Sequence, residues 1–310
     1  MSYRLLLTAS VLASALVPLS ADAVLLDLYV SDPGSGAIFE FTPTGVQSTL
    51  SERFPHNGFN NPFGLAINAR GSIFTCIETT SLHGVIVEFT STRVRSRFAT
   101  TSEPTLFLAG LAFDSAGSLF AADFVFGRVG QGRILQFTPS GAESVFATDL
   151  NHPYGLAFDS TGNLFEADQD SGRILRFTPS GAESVFATGL KDPTGLAFDS
   201  AGNLFVAESG SRRILEFTTT GTQSTFASGL FPLGLAFDSA DNLFVADYVN
   251  GTILEFSPSG AESTFATGLH SPAFLAFGPA SASVLDVGAT LGLLAMSVFG
   301  LLLARKMVKA

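Results

Sequence analysis

Tryptophan is absent from this 310-residue chain, and cysteine occurs once, at Cys76. A lone thiol excludes an intramolecular disulfide. Cys76 lies in an apolar run, which suits a buried, inert side chain. Charge is scarce: 14% of residues are charged, 16 cations stand against 27 anions, and the formal net charge is −11. An acidic, lysine-poor surface excludes nucleic acid as a partner and disfavours attraction to anionic lipid. Helix-favouring stretches are missing from the middle of the chain. So are G-x-S-x-G, CxxC, HExxH and phosphate-binding glycine loops, which removes the common signatures of acyl transfer, redox, zinc and nucleotide chemistry.

The two ends have sorting-signal composition. Arg4 precedes an apolar run from Leu5 to Leu19, and Ala21-Asp22-Ala23 follows. That order matches a secretory signal with a peptidase site, and the run is short for a first membrane span. Residues 1–23 are therefore expected to be removed by signal peptidase. At the other end, Val287 to Ala304 carries no charge and is followed by Arg305, Lys306 and Lys309. A helix rising ~1.5 Å per residue would extend about 27 Å over that run, near the ~30 Å hydrocarbon core. The trailing cations fit the positive-inside rule. The expectation for 281–310 is a C-terminal sorting signal or transmembrane anchor, formed by a hydrophobic helix.

Phenylalanine is abundant instead, with 31 copies, and it recurs in a fixed sentence. Gly195-Leu196-Ala197-Phe198-Asp199 is followed by Asn203-Leu204-Phe205-Val206-Ala207-Glu208, Ile214-Leu215-Glu216-Phe217-Thr218 and Ser224-Thr225-Phe226-Ala227. The first phrase begins at Gly64, Gly110, Gly155, Gly195 and Gly234, and in altered form at Phe274, at spacings of 46, 45, 40, 39 and 40 residues. Four short apolar phrases per ~40 residues mark a propeller blade rather than a helical solenoid. Asp199-Ser200-Ala201-Gly202-Asn203 and Thr178-Pro179-Ser180-Gly181 supply the hairpin turns. The N-terminus offers strands two to four of a blade, and the C-terminus a first strand alone. Together they make one unit, which closes the ring and removes a free edge. The expected fold is all-β: a six-bladed β-propeller over residues 24–280, four antiparallel strands per blade, its closing blade shared by both termini. The Phe stripe belongs to the core.

The string Pro193-Thr194-Gly195-Leu196-Ala197-Phe198-Asp199, Gly202-Asn203-Leu204-Phe205-Val206-Ala207, Arg213-Ile214 resembles NHL repeats. It is similar also to the blades of gluconolactonase and streptogramin-lyase propellers. This resemblance covers about Leu26 to Gly278 and speaks to fold, since such propellers include enzymes and binding modules alike. The tail Val284-Leu285-Asp286-Val287-Gly288-Ala289-Thr290-Leu291, with its apolar run and Arg305-Lys306, resembles a PEP-CTERM sorting signal of the Val-Pro-Asp-Ser-Gly kind. Leu285 and Val287 depart from that pattern. The resemblance implies an exosortase-like peptidase as a partner and export by a Gram-negative-type bacterium, to the periplasm, cell surface or extracellular matrix.

In gluconolactonase-like relatives the residue between Pro and Gly of the first strand is often a metal-binding Asn or Asp, and in streptogramin lyases a His. Here those positions are Phe63, Ala109, Tyr154, Thr194, Leu233 and Ala273. Hard cations need several converging oxygen ligands, so no metal, cofactor or catalytic residue is expected. The second strands end in Asp32, Asp123, Asp168, Glu208 and Asp247, with Ile77 and Glu78 in the aligned place of blade 2. These acids form either a rim that attracts a cation or basic partner, or a structural set that holds loop backbone and pairs with Arg133, Arg173 and Arg213. Departures from the repeat at the same mouth are His152, Tyr154, Asp192 and His270. His56, Asn60 and Asn61, and the longer segment from Phe124 to Gln131 with Phe126 and Arg128, are loop candidates. The candidate ligand-binding set is His152, Tyr154, Asp192, His270, Asp123, Asp168, Glu208 and Asp247. The chain is expected to be a monomeric, non-enzymatic binding or scaffold module for a protein, glycan or small molecule. The alternative is a diverged metal-dependent lactone hydrolase or lyase, and a third reading is a purely architectural envelope component.

Overall fold

The computed structural model describes residues 26–51, 61–77, 83–103, 107–124 and 130–279. The expected N-terminal signal and C-terminal helix lie outside these residues. Among the described residues no helix is long and apolar enough to cross a membrane.

Twenty-four strands form six four-stranded sheets. Blade 1 holds β1 (Leu26–Asp32), β2 (Ala37–Phe41) and β3 (Gln47–Ser51). Blade 2 runs β4 (Pro62–Ile67), β5 (Ile73–Ile77), β6 (Val85–Phe89), β7 (Arg95–Thr100). Blade 3 runs β8 (Phe107–Phe113), β9 (Leu119–Phe124), β10 (Gly132–Phe137), β11 (Glu143–Leu150). Blade 4 runs β12 (Pro153–Phe158), β13 (Leu164–Asp168), β14 (Arg173–Phe177), β15 (Glu183–Ala187). Blade 5 runs β16 (Pro193–Phe198), β17 (Leu204–Glu208), β18 (Arg213–Phe217), β19 (Gln223–Ser228). Blade 6 runs β20 (Pro232–Phe237), β21 (Leu243–Asp247), β22 (Thr252–Phe256), β23 (Glu262–Ala266). The last strand, β24 (Leu275–Pro279), returns to blade 1. It pairs antiparallel with β1, matching Leu26 to Pro279, Leu28 to Phe277 and Val30 to Leu275. Two backbone bonds extend the ladder, Ser31 N to Phe274 O at 3.0 Å and Ala273 N to Ser31 O at 2.8 Å. Closure through a composite blade is therefore observed as the sequence implies.

Local chemistry sets the hairpins. The carboxylate of Asp159 accepts the amides of Thr161 and Asn163 at 2.9 and 2.8 Å, and Gly162 follows at φ 85°. Asp114 and Asp238 hold the same turn in blades 3 and 6. This side-chain mimicry of a backbone turn explains the recurring Asp and Gly. The outer hairpins use Thr or Ser the same way, with Thr178 Oγ1 accepting Ala182 N at 3.1 Å.

Packing between blades repeats too. One buried phenylalanine of each second strand meets the outer-strand Phe of its own blade and the first-strand Phe of the next. Phe120 lies 5.1 Å from Phe146 and 5.2 Å from Phe158, edge to face. Phe74, Phe165, Phe205 and Phe244 form equivalent trios. Each fully buried Phe contributes roughly 1.5–3 kcal/mol, and the edge-to-face geometry about 0.5–1.5 kcal/mol more. The seam between blades 1 and 2 departs from this: Tyr29 takes the Phe place and donates to Glu40 at 2.8 Å.

The repeated first-strand glycine has a steric cause. A Cβ on Gly155 would sit 2.0 Å from the carbonyl oxygen of Thr194 in the next blade, and one on Gly64 would sit 2.0 Å from that of Ala109. Five inner strands thus touch backbone to backbone around the axis. Blade 1 has Phe274 in that place, and the consequence appears at the hub.

Candidate functional site

The hub is filled by side chains. Phe274 enters it because no glycine stands there, and its ring lies 5.5 Å from Phe63 and 5.9 Å from Tyr154. Phe63 also meets Tyr154 at 5.8 Å and Phe107 at 4.5 Å, both edge to face. Ala109, Thr194 and Ala273 are fully buried. The Thr194 hydroxyl is committed to the carbonyls of Ala207 and Pro232 at 3.3 and 3.4 Å. Cys76 is buried against the hub, its sulfur 2.9 Å from Leu108 O and 3.3 Å from Ala109 O. These positions offer aromatic rings, methyl groups, the Tyr154 phenol and the occupied Thr194 hydroxyl. They do not fit a divalent cation, and among the described residues no three His, Cys, Asp or Glu side chains converge as a metal set.

Around the hub the second-strand acids are buried and paired. Asp32 accepts the amides of His270 and Ser271 at 2.9 and 2.8 Å. Asp168 accepts Asn151 N and Ser171 Oγ, both at 2.5 Å, and Arg173 at 2.8 Å. Glu208 accepts Lys191 N at 2.9 Å and pairs with Arg213. Asp247 accepts Phe231 N at 3.1 Å and Asn250 Nδ2 at 2.8 Å. In each of these four blades the acid clamps the loop that enters its own first strand. Charge-assisted bonds of this kind are about twice as strong as neutral ones. Asp123 differs. It meets Arg133 at 2.9 and 2.5 Å through one oxygen, while its Oδ1 has no hydrogen-bond partner among the described residues. Burial outweighs the Arg133 cation and pushes this carboxyl up to about 6.

The structure brings His152 and Tyr154 together, ring centroids 6.2 Å apart, and seats His152 against Phe124 at 3.8 Å. His152 takes a left-handed φ of 66°, and its Nδ1 lies 3.2 Å from Asp170. Burial pushes the Tyr154 phenol above its ordinary range. Asp192 repeats the left-handed turn one blade on, at φ 47°, and its carbonyl accepts Ser209 N at 3.1 Å. His270 stands at the blade 1 mouth, mostly exposed, with Nδ1 3.9 Å from Asp32. Asn61 is exposed at the entry to β4. His56, Asn60, Glu78, Phe126 and Arg128 lie outside the described residues.

No family model matches the sequence, and no curated protein is similar to it in sequence. Solved structures are similar in shape. Virginiamycin B lyase from Staphylococcus aureus aligns at TM-score 0.56 and 18% identity, over 71% of this chain and 78% of that one. A catalytically inactive variant of the lyase from the same organism, with quinupristin, aligns at 0.59 and 14%, over 84% and 94%. A putative gluconolactonase aligns at 0.57 and 16%, over 75% and 88%. The fold is that of the lyase and lactonase propellers. Identities this low carry the likeness no further than fold.

One side chain of chemical interest escaped the sequence reading. Glu166 is fully buried, and among the described residues no side chain bonds its carboxylate oxygens, which have only a marginal contact with the backbone of Tyr154. Burial raises its carboxyl well above the ordinary range, and the nearby Asp168 adds to the shift. The signal was present in the repeat. Val30, Thr75, Ala121, Val206 and Val245 hold the aligned place in the other blades.

Proposed function

We propose that this chain is an exported, surface-anchored propeller that binds its ligand without turning it over. The observation that carries the reading is the hub. Phe63, Tyr154 and Phe274 pack edge to face or stacked across the site where the lyase-like relatives, by resemblance, keep catalytic or metal-binding side chains. The Thr194 hydroxyl beside that site is already bonded to the protein's own backbone. A binding role then falls to the loop face around His152, Tyr154, Asp192 and His270, with Asp123 as the acid of the rim that keeps an oxygen without a partner among the described residues. A protein, a glycan or a small molecule are the partners this face would serve.

Export and anchoring rest on the Arg4-led apolar segment and on the tail from Val284 to Lys309, which resembles a PEP-CTERM signal. Signal peptidase and an exosortase-like peptidase are the processing partners in this reading, with delivery to the periplasm, cell surface or matrix of a Gram-negative-type cell as a monomer.

The second reading, a diverged metal-dependent lactone hydrolase or lyase, is favoured by the shape of the structural neighbours. One experiment separates the two. The full chain, in detergent, is melted with and without calcium, magnesium and zinc, and is assayed for lactone hydrolysis and for opening of quinupristin. The expected result is no turnover and no metal-dependent rise in melting temperature. Turnover that depends on an added metal would establish the second reading.

A further inference from the structure

On the face opposite the acid rim, the seams between blades form clefts. Two of them share one construction. The cleft between blades 2 and 3 has a volume of about 590 Å³, and that between blades 4 and 5 about 340 Å³. Both fall in or near the ~300–1,000 Å³ range of small-molecule sites. Each has an aromatic floor. In the first, half-buried Phe98 and Phe113 pack on buried Phe74. In the second, half-buried Phe186 and Phe198 pack on buried Phe165. The rims carry turn hydroxyls, Thr90 and Ser115 in one and Ser200 and Thr218 in the other; Thr90 and Thr218 also accept their own turn amides and Ser200 donates to Asp241, so a ligand meets the remaining capacity of these oxygens.

Both clefts also hold an arginine that breaks the repeat. Arg176 stands where the other blades have Glu40, Glu88, Gln136, Glu216 and Glu255. Arg70 stands where their turns have Ala116, Thr161, Ala201 and Ala240. Both are exposed, and neither forms an ion pair with a described residue, although carboxylates outnumber cations in this chain. By contrast Arg133, Arg173 and Arg213 are each paired to a buried acid. In the blade 4–5 cleft the rim carboxylates Asp159 and Asp199 are already tied into their own turns by Asn163 and Asn203. In that cleft the guanidinium is therefore the charged group left to meet a ligand, while in the blade 2–3 cleft Glu88 lines the wall as well as Arg70, and the weaker subsite is expected there.

We infer that these two clefts are saccharide subsites for a uronate, a pyranose bearing a carboxylate. The apolar C–H face of the ring lies on the Phe floor, the hydroxyl edge meets the turn hydroxyls, and the carboxylate takes the planar fork of Arg70 or Arg176. Each cleft takes one such residue of a saccharide chain. This goes beyond the loop-face reading and stands apart from it.

The test is titration calorimetry of the full chain in detergent with tetramers of galacturonic, glucuronic and mannuronic acid, and with the methyl ester of each. At least one acid tetramer is expected to bind saturably, and its ester about tenfold more weakly, as loss of a hydrogen bond to a charged group implies. Arg70→Gln and Arg176→Gln should each weaken one of the two sites by a similar factor without moving the melting temperature. Ala116→Trp and Ala201→Trp, exposed turn positions that would fill the clefts, should together abolish binding. No saturable binding by any acid tetramer overturns the inference. So does an ester that binds as well as its acid, or unchanged binding in the double Trp variant. None of these outcomes bears on the hub, so the two readings fail separately.

Discussion

A carboxyl in a greasy seam is a cost that a single atom change exposes. Glu166 sits where Val206 and Val245 fill the matching seams, and a buried carboxyl with no side-chain partner among the described residues costs about 1–3 kcal/mol. Its native pKa is raised, so the folded protein holds a proton that the unfolded chain has already released. Stability is then fully present below the ordinary glutamate range and is lost as pH rises through it towards the raised native value. Asp123, pushed up to about 6, adds to the same downward slope between about pH 4 and 6. Glu166→Val is expected to raise the melting temperature at neutral pH by several degrees and to flatten this slope, read by thermal melts from pH 4 to 8. An unchanged slope would show that Glu166 does not titrate in the native state. The residue was legible as a break in the repeat, yet its weight was not. Whether a lone Glu points to water or into a seam depends on which face of β13 meets blade 3, and that is fixed only by the assembled ring.

At the scale of the strand and its turns, the second-strand acids show what recurrence means physically. The sequence left two roles open, a cation-attracting rim and a structural clamp. Asp32, Asp168, Glu208 and Asp247 each accept amides of the loop that enters their own blade, bonds that no spacing rule displays because the donors lie 16 to 239 residues away. Removing one should loosen a loop rather than a site. Asp168→Ala is expected to cost about 1–3 kcal/mol in urea unfolding, since Asn151 N and Ser171 lose a buried acceptor. Asp170→Ala, which removes an exposed carboxylate beside His152, should change stability by less than about 0.5 kcal/mol. Turn chemistry was the most readable level, because Asp159 and Gly162 act within four residues of each other. The Phe trios were readable as core but not as inter-blade junctions, since each trio joins two blades.

For the whole molecule, closure decides cooperativity. Blade count, strand count and the shared blade followed from two incomplete ends that sum to one unit, and the register between β1 and β24 agrees. The plugged hub was half legible. The apolar residues at Phe63, Tyr154, Leu233 and Ala273 were visible, but not that Phe274, by replacing a glycine, pushes its ring between them. A full-length chain lacking only residues 275–279 should leave β1 as an open edge. It is expected to unfold at lower temperature, in more than one step, and to associate at micromolar concentration. A single sharp transition at the parent temperature, followed by calorimetry and sedimentation, would show that the ring does not depend on its last strand.

Synthesis runs from the amino end, and β24 is the last of the strands to be made. Until it emerges, blade 1 has no inner strand, and the five blades behind it have nothing to press against across the gap. A ribosome that still holds residue 275 therefore holds an unclosed arc. The wheel can lock only after residues 26–279 are free, and β24 is the latch.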